Sequence, residues 1–149
     1  MKHIMDEEFP PYLVTASSSQ DVYLSLNTLD NVILLYMTDS CHESNNLACE
    51  LKGNPKNLIP DLGMNDVSAV VIDGEDPRCE SARNSHMRKA QQKLGEVNYP
   101  VAMPFKNGVL QEDYVISNID DTVSLQYVIR SCYKRPTFMD RIRSRFRRY

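Results

Sequence analysis

The residues of this 149-residue chain best suited to covalent chemistry are its four cysteines, Cys41, Cys49, Cys79 and Cys132. They are too sparse for a disulfide scaffold and lack the paired spacing of a structural zinc site, so neither a metal nor a cofactor is expected. Cys41 stands apart by its setting, Asp39-Ser40-Cys41-His42-Glu43-Ser44. Ser40 and Glu43 read as an S-x-x-E capping box, which places Cys41 at the first helical position. Unpaired amides and the positive end of a helix dipole favour a thiolate there, which would make Cys41 a nucleophile. A protonated His42 would add to this and Glu43 and Asp39 would oppose it, so the sign of the balance stays open. The competing reading is a structural cysteine without chemistry. His42 reads as a surface helix residue, Asp73 as a strand end, and Cys49, Cys79 and Cys132 as half-buried cysteines rather than redox partners. If 41 to 49 is helical, Cys41 and Cys49 are about 12 Å apart at Cα, beyond disulfide reach.

The elements that must carry Cys41 follow from apolar patterning. Val32 to Met37 is a continuous apolar run with β-branched and aromatic members, as in a strand buried on both faces. Val67 to Ile72 is a second such run, closed by the polar turn Asp73-Gly-Glu-Asp-Pro77, and Val101 to Phe105 a third. Before the first run, Tyr12 to Thr15 reads as a short edge strand and Gln20 to Leu29 as a helix capped by Ser19 with Val22, Leu26 and Leu29 on one face. After Cys41 the helix turns Leu47, Ala48 and Leu51 inward and stops at Gly53. Asn54-Pro55 starts a short turn that Pro60 interrupts, leaving 53 to 66 as a broken connection. Arg78 to Leu94 has helical length but a weak apolar stripe of Ala82, Met87, Ala90 and Leu94. Lys106-Asn-Gly108 is a hairpin turn, with Val109 to Ile119 as the returning strand. Asp120 or Asp121 caps a last helix to about Cys132, its faces marked by Val123, Tyr127 and Ile129 or Arg130. The order β-α-β-α-β-α-β-β-α implies an α/β fold: a mixed sheet with an antiparallel closing edge and helices on both faces.

Composition bounds the class. Hydrophobic content of 42% and charged content of 25% are those of a soluble globular domain, and no window reaches membrane-spanning length. The N-terminus carries acidic residues where a secretory signal has an apolar core, so a reducing, intracellular and cytoplasmic setting is expected. The net charge of −3 conceals an asymmetry: residues 134 to 149 carry +6, leaving −9 on the remainder. The division expected is an acidic leader (1–11), one domain (12–133) and a basic amphipathic tail (134–149).

The same residues resemble the thioredoxin family. The resemblance rests on the buried strand ending at a helix-initiating cysteine (Val32 to Cys41), the strand ending Ile72-Asp73 with Pro77 beyond it, and Tyr99-Pro100 and Phe105-Lys-Asn-Gly108, the last two in the order and spacing of that family, although the segment between Asp73 and Pro100 is longer than usual in it. It implies a thioredoxin-like three-layer α/β/α sandwich over residues 12 to 133, with Cys41 as the attacking cysteine and Ser44 where the resolving cysteine stands. It also implies Pro100 as the cis-proline, with Tyr99 and Val101 bordering a groove for an extended client. The departures define the chemistry. Ser44 supplies no thiol to release a mixed disulfide. Ser40 replaces the usual aromatic, Leu35 the buried acid that helps proton transfer, and Cys49 a kinking proline.

Two functions follow. One is monothiol thiol–disulfide exchange or client trapping through Cys41. The other is a non-catalytic thioredoxin-fold binding or adaptor module in a larger assembly. In the tail Phe138, Ile142, Phe146 and Tyr149 fall on one helical face, with Arg141 and Arg145 among the flanking basic residues. That pattern suits a partner protein or self-association, ahead of nucleic acid or an anionic membrane.

Overall fold

The apolar run from Val32 to Met37 forms the middle strand of the molecule, with each of its six side chains 1% exposed or less. Such burial requires strands on both edges and a helical layer on each face. The computed structural model describes residues 9–133 and shows both. In chain order the elements are β1 (Val14–Ala16), α1 (Ser19–Thr28), β2 (Asn31–Met37), α2 (His42–Lys52), α3 (Leu58–Met64), β3 (Ser68–Asp73), α4 (Glu80–Leu94), β4 (Val101–Lys106), β5 (Val109–Leu110) and α5 (Thr122–Cys132). The spatial order is β1-β3-β2-β4-β5. β3 pairs in parallel with β1 and β2, whereas β4 runs antiparallel to β2 and β5 antiparallel to β4.

Alternation along β2 divides the core in two. Ile33, Leu35 and Met37 join Leu47 and Leu51 of α2, Leu58 and Leu62 of α3, and Leu125, Val128 and Ile129 of α5. Val32, Leu34 and Tyr36 face the other way, toward Val22 and Leu26 of α1 and Ala82 and Ala90 of α4. The α/β class with a mixed sheet and helices on both faces is therefore as expected. At the end of α5 the Tyr133 hydroxyl lies 2.9 Å from the carbonyls of both Val32 and Phe105, tying the helix to β2 and β4. Among the described residues no helix is long and apolar enough to cross a membrane. The acidic stretch 1–8 and the basic tail 134–149, with Phe138, Arg141, Ile142, Arg145 and Phe146, lie outside the described residues.

Several expected boundaries are corrected. β1 begins two residues later than Tyr12. Its neighbour α1 is capped by Ser18, whose hydroxyl accepts from the Asp21 amide. Pro60 does not interrupt the 53–66 connection: it lies in the first turn of α3, where its missing N–H would have had no helical partner anyway, while Asn54 turns left-handed at φ 55° instead of capping. The hairpin forms, with Asn107 and Gly108 at φ 49° and 78°, yet β5 has two residues rather than eleven. Gln111 donates to the Pro104 carbonyl at 2.8 Å and Pro104 has no N–H to return, so the ladder stops there. The chain then makes a 3-10 turn at Glu112–Tyr114 and rejoins at Ile116, bonded to Ala102. On α5, Val123 and Tyr127 are 66% and 65% exposed, and Leu125, Val128, Ile129 and Cys132 face inward. The Asp121 cap sets that phase through the Ser124 amide.

Candidate functional site

Three segments meet at the end of β2: the loop leading into α2, the turn after β3, and the loop entering β4. Each is held by backbone bonds that its sequence supplies. The Gly74 amide donates to the Met37 carbonyl at 2.7 Å, closing the β3 turn onto the end of β2. Thr38, 3% exposed, donates its amide to Ser44 Oγ at 3.2 Å, which ties the start of the loop to the first turn of α2. Asn45 closes the other side, its amide donating to the Cys41 carbonyl and its side chain to the Asp39 carbonyl. The loop carrying Cys41 is therefore pinned at both ends.

The capping box does not form. α2 starts at His42 with Cys41 as its N-cap residue, and no side chain caps it. The Ser40 hydroxyl instead donates to Glu75 Oε1 across the turn at 2.6 Å, a charge-assisted bond, and with Cys41 as the N-cap residue Ser40 lies one position outside the capping site. The Glu43 carboxylate accepts the Cys41 thiol at 3.1 Å from Oε2 to Sγ. This bond holds the Glu43 carboxyl below its ordinary range.

Cys41 is partly exposed, and its Sγ also lies 3.1 Å from the Tyr99 carbonyl oxygen. The Tyr99–Pro100 peptide bond is cis. Register explains the approach: Val101 pairs with Tyr36 on β2, so Tyr99 falls just beyond the strand end, beside the loop that follows Met37. The Tyr99 ring packs on Gly74 so closely that a Cβ there would stand 2.8 Å from Cε1. Arg83 fastens the same turn, donating to the Gly74 carbonyl at 2.7 Å. Burial pushes the Tyr99 hydroxyl up.

The residues singled out from sequence thus divide. Cys41 and the Tyr99 carbonyl are brought into contact. Pro100 and Val101 are buried, so Tyr99 is the member of that trio reaching the surface. Ser44 is fully buried, with its hydroxyl occupied by the Thr38 amide. Leu35 is completely buried in apolar surroundings. Cys49 is exposed, whereas Cys79 and Cys132 are buried, with burial pushing both thiols up. Sequence reasoning missed Glu43 as a thiol partner and Gly74 as the seat of Tyr99. The Cys-x-Glu spacing across a helix start is a visible signal for the first, but the same glutamate also completes a capping box by spacing.

The electrostatic setting is acidic. Burial pushes the Asp73 carboxyl up, against the Glu75 amide that bonds it, and the negative charges of Asp39, Asp76 and Glu75 add to the rise. Arg78 is engaged by Asp76 at 2.8 Å.

No protein-family model and no curated protein matches the chain. Solved structures do resemble it. A mutant thioredoxin from Halobacterium salinarum NRC-1 superposes with a TM-score of 0.59 at 13% identity, covering 87% of this chain and 98% of its own. Thioredoxin from Fasciola hepatica gives 0.54 at 14% identity over 82% of this chain and 100% of its own. Oxidised thioredoxin O2 from Arabidopsis thaliana gives 0.53 at 19% over 83% and 96%. With these neighbours and the sheet order β1-β3-β2-β4-β5, the chain has the thioredoxin fold.

Proposed function

We propose that this protein is a monothiol thiol–disulfide exchange protein that captures clients through Cys41. The observation carrying the reading is the partly exposed Sγ lying 3.1 Å from the Tyr99 carbonyl, so that a client strand meeting that backbone would bring its disulfide to the sulfur. In the step, the Cys41 sulfur attacks one sulfur of a client R–S–S–R′. A Cys41–S–S–R bond forms, the client S–S bond breaks, and R′–S⁻ leaves and takes up the proton Cys41 gave away. Ser44 has no thiol to attack the mixed disulfide, and its hydroxyl is buried against Thr38, so release requires an external thiol.

The test is mass spectrometry of the intact chain after incubation with a disulfide-bonded peptide, in a Cys49→Ser background because Cys49 is also exposed. A stable adduct that disappears in Cys41→Ser is expected, and Ser44→Cys should shorten its lifetime. No Cys41-dependent adduct would overturn the reading.

A second reading, a non-catalytic binding module, is favoured by one observation: the thiol proton is shared by two acceptors, Glu43 and Tyr99, which gives Cys41 a hydrogen-bonding role at the helix start. Its partner would be a protein or a second copy, engaged through the groove and residues 134–149. Deleting 134–149 should abolish partner capture on that reading and leave Cys41 adducts intact on the first.

A further inference from the structure

We propose that Glu43 acts as a charge gate on Cys41 and biases capture toward disulfides flanked by lysine or arginine; this rests on the reading of Cys41 as the exchanging thiol. Cys41 and Glu43 lie two residues apart across the start of α2, and the carboxylate oxygen meets Sγ at 3.1 Å. The other atom against Sγ, the Tyr99 carbonyl oxygen, is also an acceptor at 3.1 Å. Both suit a thiol that donates. When the proton leaves, the sulfur's negative charge faces a carboxylate and a carbonyl, and neither can donate to it.

The surroundings offer little relief. His42 directs Nε2 along the helix to Asn46 at 3.3 Å. Arg83 donates to the Gly74 carbonyl and Arg78 to Asp76, while Glu75 bonds Ser40 beside Cys41. Asp39, Asp73 and Glu75 lie close enough to repel one another, and burial pushes the Tyr99 hydroxyl up. Beyond the amides at the start of α2 and His42, whose charge reaches Glu43, no cation among the described residues is bonded to Cys41, so a further cation that favours the thiolate arrives with the client. A guanidinium or ammonium one or two residues from the client cysteine can pair with Glu43, draw the carboxylate off the sulfur and offset its charge. A client flanked by acids adds repulsion instead. The proton released from Sγ passes to solvent or Glu43 and then to the departing client sulfur, so the exchange balances as Cys41–SH + R–S–S–R′ giving Cys41–S–S–R + R′–SH.

The experiment uses the full chain in the Cys49→Ser background, with wild-type Glu43, Glu43→Gln and Glu43→Asp. Reagents are iodoacetamide, a neutral pyridyl disulfide, and two peptides carrying a pyridyl-activated cysteine between arginines or between glutamates. Thermal melts confirm that the variants remain folded. Glu43→Gln should raise the Cys41 rate with the neutral reagents about three- to fivefold at pH 7 and change it by less than about twofold at pH 10. The wild type should prefer the arginine peptide by about tenfold at low salt. Glu43→Gln should lose most of that preference and Glu43→Asp retain it. Disulfide exchange at Cys41 with the same pH 7 rate and the same peptide preference in Glu43→Gln would overturn the gate and leave the exchange function standing. Inertness of Cys41 to every disulfide in all variants would overturn both.

Discussion

Ser44 is spaced from Cys41 as a resolving residue would be, yet its hydroxyl points inward to the Thr38 amide and the residue is fully buried. Its work is therefore to satisfy a buried donor and join the β2 end to α2. Ser44→Ala leaves that amide without a partner, and a buried unpaired group costs about 1–2 kcal/mol. A corresponding drop in the urea midpoint is expected, with the Cys41 alkylation rate changed less than about twofold. An unchanged midpoint would mean that water replaces the hydroxyl. Cys41 was legible as the candidate nucleophile from its type and place before a helix. Its partners were not, because Ser40 and Glu43 each had two acceptable bonding choices, and only the nearby Glu75 and the thiol itself decide between them.

At the scale of elements, the site depends on how tightly the turn after β3 fits the loop before β4. Gly74 leaves room for the Tyr99 ring, and a Cβ there would meet Cε1 at 2.8 Å and Cζ at 2.9 Å. Gly74→Ala must displace the ring, so a loss of about 1–3 kcal/mol is expected, with a changed alkylation rate at Cys41 because the Tyr99 carbonyl shifts with its residue. Gly63 is the control. It sits in α3, where an added Cβ would meet nothing within 4 Å, and Gly63→Ala should be neutral or stabilising by up to about 1 kcal/mol. Equal melting temperatures for the two variants would refute the close fit. The strands themselves were readable: long β-branched runs buried on both faces leave few alternatives. The phase of α5 was not, since Val123 and Tyr127 make as good a stripe by spacing as Leu125, Val128 and Ile129.

At the scale of the whole molecule, the face opposite α2 contains a buried polar pair. His86 is 3% exposed, its Nδ1 bonded to the Tyr36 hydroxyl and its ring 5.5 Å from that of Phe105. Burial, aided by the positive charge of Lys89, pushes the His86 imidazole down to about 4 from 6.5. Above pH 6.5 both folded and unfolded chains hold it neutral. Between 6.5 and about 4 the unfolded chain binds a proton that the folded chain does not, so stability falls as pH falls, by up to about 3 kcal/mol. Asp73, whose carboxyl is pushed up, contributes with the opposite sign over the acid range. Urea unfolding at pH 7, 5.5 and 4 should therefore show a steeper acid loss in the wild type than in Tyr36→Phe/His86→Leu. Parallel curves would refute the assignment.

By itself the sequence determined the strand runs, a cysteine at the entry to a helix and the Asn-Gly hairpin. These are local or periodic properties, settled by which residues can be buried and which backbone angles they accept. Only the tertiary structure decided that Glu43 and Tyr99 share the Cys41 thiol, that Ser44 turns inward, and that His86 is core. Two of those outcomes join residues far apart in the chain, 58 positions for Cys41 and Tyr99 and 50 for Tyr36 and His86. A hydrogen-bonding group takes the partner that the packed strands bring within about 3 Å, and no spacing along the chain encodes that choice.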